Sequence, residues 1–123
     1  MLWSIEDNEE IKGIPHKSDY DRWRSKLSNS EHHEILNELS SLISGSEIQT
    51  SSWIPGDDWS GTVYEPIYSK ACNYDPIAAA KFFGLLVWES MLKDDSYWAF
   101  GRYENNGIPI EGLTYFKVQP NRL

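Results

Sequence analysis

The sequence predicts an α+β domain of four helices and a small antiparallel sheet that ends in a C-terminal β-hairpin. Three observations predict it. The run "YDPIAAAKFFGLLVWESMLKDD" opens on Asp75-Pro76, a helix cap followed by a residue preset for the first turn, and is apolar to Leu92 but for Lys81, Glu89 and Ser90. Ile35, Leu36, Leu39, Leu42 and Ile43 recur at helical spacing, and Gly45 follows as a stop. Asn106-Gly107 stands between two aromatic-rich runs, the pattern of a two-residue hairpin turn.

In chain order, residues 1–17 carry four acidic residues, Glu6, Asp7, Glu9 and Glu10, with little periodicity. They read as an N-terminal arm with one short strand at Leu2–Ile5, and residues 18–123 as a single domain. Ser18 is positioned to cap a first helix, with Asp19 and Asp21 in the turn where the helix dipole favours acids. That helix ends near Leu27 and buries Tyr20, Trp23 and Leu27 on one face. The second helix is expected to start with Ser30 as its cap and to end at Gly45. "EIQTSSW" reads as a short strand. Pro55-Gly56 makes a turn that delivers Trp53 and Trp59 to the core, and Asp57 and Asp58 solvate the next helix entry. A helix over 63–72 follows, capped by Ser60 or Thr62, with Thr62-x-x-Glu65 in the form of a capping box.

The helix 76–93 is apolar nearly all round. Such a helix is either central or lends a second face to a partner. Gly84 in its middle suggests a close crossing, because glycine there is unfavourable by about 1 kcal/mol relative to alanine. In the hairpin, the Asn106-Gly107 turn sets Asn105 opposite Ile108 and Trp98 opposite Tyr115. Trp98, Phe100, Leu113 and Tyr115 then share one face, and Tyr97, Ala99, Tyr103, Ile110 and Phe116 share the other.

Composition narrows the function classes. The chain has 123 residues, of which 40% are hydrophobic and 24% charged, so it can bury a core. Its net charge of −8 repels phosphate backbones, which disfavours nucleic acid and suits a basic protein partner. Cys72 is the sole cysteine, so no internal disulfide forms and a cytoplasmic location is expected. The apolar stretch around Ile77–Leu92 is too short and too charged to span a bilayer. Aromatics reach 14%, more than a small interior needs, so some rings are expected at an interface.

No set of residues makes a complete reactive site. His32 and His33 are adjacent and face different ways on a helix, His16 stands apart, and a zinc site lacks a second cysteine, so no metal or cofactor is expected. Cys72 follows a helix instead of opening one, and reads as a small buried residue. Glu89 lies on the apolar face of its helix. A buried carboxylate has a raised pKa and can act as an acid or base. The competing reading is a structural ion pair with Lys93, four residues on, or with Arg102.

From the second helix onward the element order is similar to that of a winged-helix domain, with the hairpin as the wing. The stretches "WIPGDDWSGTVYEPIY", "FFGLLVWE" and "GLTYF" resemble small uncharacterised bacterial proteins of integron cassettes and other mobile elements. That resemblance covers residues 15–118 and implies no activity or site residues. The winged-helix likeness implies DNA reading through Arg22, Arg24 and Lys26, diluted by nearby aspartates. The leading expectation is a non-enzymatic interaction module, a homodimer or the binder of a basic protein, of an immunity, antitoxin or regulatory type. Its expected contact residues are Trp88, Met91, Tyr97, Tyr103 and Tyr115. A winged-helix transcription regulator is the alternative, and an enzyme using Glu89, Asp57 or Asp58 is the third reading.

Overall fold

Two of the helices begin where a side chain satisfies their first N–H groups. The computed structural model describes residues 1–4, 8–44, 48–50, 61–94, 96–101, 104–105, 108–109 and 114–117. Helix α1 spans Lys17–Arg24; its N-cap is His16 in left-handed backbone with no side-chain cap, and Ser18 lies inside the helix. Helix α2 spans Asn29–Ser44. Ser28, not Ser30, starts it through a reciprocal capping box: the Glu31 N–H donates to Ser28 Oγ at 3.1 Å, and the Ser28 N–H donates to Glu31 Oε1 at 2.9 Å. The third helical segment is a π-helix, Ile67–Ala71. Thr62 caps its approach by accepting from the Tyr64 N–H at 3.2 Å. Helix α3 spans Pro76–Lys93, with Asp75 accepting from the N–H groups of Ile77 and Ala78 and Pro76 in the first turn.

The sheet is larger than expected, and it is mixed. Its order is β2-β1-β4-β7-β3, with β1 at Leu2–Ser4, β2 at Glu9–Ile11, β3 at Ile48–Thr50, β4 at Trp98–Gly101 and β7 at Thr114–Lys117. The first residues are therefore built into the sheet: β1 runs parallel to β4, with Leu2 opposite Trp98, and Leu2 is fully buried. The helices between these two strands supply the crossover that a parallel pair needs. Strand β2 forms one edge and carries Glu9 and Glu10, charges that discourage edge-to-edge pairing.

The C-terminal strands do not make one continuous hairpin. A short ladder of β5 (Glu104–Asn105) and β6 (Ile108–Pro109) sets Asn105 opposite Ile108, as the Asn-Gly turn requires, but it forms a separate two-stranded sheet. In the main sheet Trp98 stands opposite Lys117, not Tyr115, and Phe100 stands opposite Tyr115. The return side carries two extra residues between the ladders. A shift of two keeps every side chain on its face, because the strand period is two. Trp98, Phe100 and Tyr115 accordingly share the helix-facing side.

That side and the helices form the core. Leu27, Ile35, Leu39, Ile43, Phe82, Phe83, Leu86, Met91, Trp98 and Tyr115 are all buried, while Leu42, expected in the α2 stripe, is exposed. Helix α3 is central: the run Leu85–Met91 is buried without a break. Gly84 does not mark a close crossing among the described residues, since a Cβ built there meets none of their atoms within 4 Å. Among the described residues no helix is long and apolar enough to cross a membrane. Gly45, Trp53, Pro55, Gly56, Asp57, Asp58, Trp59, Ser60, Arg102, Tyr103, Asn106, Gly107, Ile110 and Leu113 lie outside the described residues, as do the side chains of Phe116 and the β3 strand.

Candidate functional site

Among the described residues, a buried polar cluster and a strained turn stand out from plain packing. The first is the polar cluster around Glu89. Glu89 projects from the buried half of α3, and its residue surface is almost wholly covered. Three donors converge on it. The Tyr20 hydroxyl from α1 donates to Oε1 at 2.8 Å, His32 Nε2 from α2 meets the same oxygen at 2.9 Å, and Lys93 Nζ, one turn along α3, lies 3.1 Å from Oε2. A carboxylate only accepts, so His32 carries its proton on Nε2.

The balance of forces on Glu89 overturns the expectation of a raised pKa. Burial pushes it upward, but hydrogen bonds from His32, Tyr20 and Lys93, together with the charge of His32, outweigh burial and hold it below the usual carboxylate range. Burial and the neighbouring Glu89 drive the Tyr20 hydroxyl strongly upward, so it stays protonated and donates. The carboxylate is thus ionised, and both its oxygens are engaged. It is set up to tie α1 and α2 to α3, and a carboxylate without its proton is no acid. Of the two ion pairs weighed for it, the Lys93 pair forms, and Arg102 is outside the described residues.

The second place is the junction between the π-helix and α3. Asn73 and Tyr74 both have left-handed backbone, with φ of 49° and 63°. A bulky non-glycine residue there costs about 1–2 kcal/mol. The turn is held by the Tyr74 N–H donating to the Tyr68 carbonyl at 2.8 Å and the Asp75 N–H to the Cys72 carbonyl at 2.9 Å. It aims Tyr74 outward: the residue is 63% exposed, and its ring stands edge-on to Tyr68 at 5.3 Å. Ile77, the second residue of α3, is 69% exposed. Tyr68 of the π-helix, Tyr74 of the turn and Ile77 of the first turn of α3 are called the knob below; a π-helix is an element enriched at functional positions.

The expected contact residues mostly fall elsewhere. Trp88, Met91 and Tyr115 are buried within this one chain and form no outer surface. Trp88 packs on Phe100 at 4.7 Å and donates its indole N–H to the Gly13 carbonyl at 3.0 Å, so its polar edge is satisfied internally. Burial raises the Tyr115 hydroxyl. Tyr97 is at the surface, 38% exposed, beside an open depression of about 670 Å³ that Lys12, Lys93 and Asp94 also line. Cys72 is buried and its thiol is pushed up to about 11 by burial first and by Asp75 second, which leaves it unreactive near neutrality.

Of the basic residues considered for DNA, Arg22 pairs with Asp19 at 3.0 Å and Arg24 bonds the Leu27 carbonyl and Asn29 Oδ1. Sequence reasoning missed His32 as the partner of Glu89, because residues 57 apart carry no mutual signal in one sequence. It missed the knob because a left-handed tyrosine has no sequence signature. Sequence reasoning also chose Ser30 over Ser28 as the α2 cap, although Ser28-x-x-Glu31 has the form of a capping box. Comparison with protein families, curated proteins and solved structures returns no match.

Proposed function

We propose that the chain is a non-enzymatic protein-interaction module that docks through the knob of Tyr68, Tyr74 and Ile77. One observation carries this reading: Tyr74 is held out to solvent in a backbone conformation that a tyrosine adopts only at a cost, although glycine would fit there freely. The interior polar cluster is occupied with fastening helices, which is why we place no chemistry on Glu89. The regulator reading competes with this one. Of its three DNA contacts, two are already paired within the chain, and the net charge of −8 opposes it. An immunity, antitoxin or regulatory role on a bacterial mobile element belongs to the same proposal and is supported only by the acidic charge of the chain.

Photo-crosslinking tests the reading directly. Ile77→p-benzoylphenylalanine is expected to form an adduct with a polypeptide on illumination in cells, whereas the same substitution at exposed Lys26 forms none. Equal labelling at the two positions, or none at 77, would overturn the docking surface.

A further inference from the structure

We draw no further inference here: the strongest candidate, the exposed surface patch of Tyr68, Tyr74 and Ile77 where the π-helix turns into α3, belongs to the docking surface already proposed, and nothing in the structure shows what covers it.

Discussion

Leu85–Met91, in the second half of α3, is buried without a break, whereas Ile77 at the start of the same helix leaves 69% of its surface in solvent. Both ends are apolar in sequence. The difference lies in what surrounds them. The second half meets α1 through Tyr20, α2 through His32 and the sheet through Trp88 and Phe100, so it has neighbours on every side. In the first turn Ala79 still faces the core, but Ile77 points away from it, a few residues after the left-handed Tyr74. An apolar residue is therefore adhesive only where the fold runs out of elements to cover it. The same crowding lets the second half hold a charge: three donors from three helices can reach Glu89 because those helices already converge there.

The largest expected effect comes from emptying that convergence. Glu89→Ala leaves the Tyr20 hydroxyl and His32 Nε2 without their shared acceptor, inside the protein. It should destabilise by about 3–5 kcal/mol, measured by urea denaturation. A loss under 1 kcal/mol would mean that the cluster is not buried as the contrast requires.

The pH dependence sharpens the same point. The folded-state pKa of Glu89 lies below its ordinary value of 4.5, so its ionisation adds stability that is present above the ordinary range and is lost as pH falls through the depressed folded value. Glu31 acts in the same sense: the Lys70 bond first, and the Ser28 N–H second, hold it down. Glu89→Gln removes one contribution and leaves the other. The stability gap between wild type and variant should narrow as pH is lowered from about 6 to about 3, while a residual slope persists in the variant. Parallel curves would show that Glu89 gains nothing from its donors.

Much of this architecture is legible in one sequence. Asp75-Pro76 announces α3 to the residue, and the periodicity of Ile35, Leu39 and Ile43 gives the buried face of α2. These signals are local: caps, periods and turns act within a few residues. What is not legible is non-local. Nothing near Leu2 says that it will lie beside Trp98 in a parallel pair, and nothing near Trp88 says that the Gly13 carbonyl will accept from its indole N–H. The aromatic content reads as a surplus only if the interior is imagined small. The five-stranded sheet and four helical segments enclose Trp23, Trp88, Trp98, Tyr20, Tyr64 and Tyr115. The knob fails to show for another reason: its signal is a backbone angle, and the sequence offers tyrosine where a reader looks for glycine.

Gly84 lies at the boundary between the two ends of α3, and it offers a smaller effect of opposite sign. A Cβ there meets nothing within 4 Å, so Gly84→Ala gains helix propensity without a clash. It should stabilise the fold by up to about 1 kcal/mol, read as a higher denaturation midpoint at an unchanged slope. Destabilisation would indicate a close neighbour at that turn and would extend the crowded half of the helix toward its start.

The smallest expected effect is the most direct test of the contrast. Ile77→Ser removes a large apolar side chain from a helix described above as central, and for a core position such a truncation costs about 2–5 kcal/mol. Ile77 is largely in solvent already, so little burial is lost, and serine near a helix start is well tolerated. The fold stability of the monomer, measured at a concentration low enough to suppress any association, should change by no more than about 0.5 kcal/mol. A loss above about 1.5 kcal/mol would show that something within the chain covers this end of α3 after all. The two halves of the helix would then be equally interior, and Tyr74 would lose the exposed neighbour that makes its costly backbone worth explaining by docking.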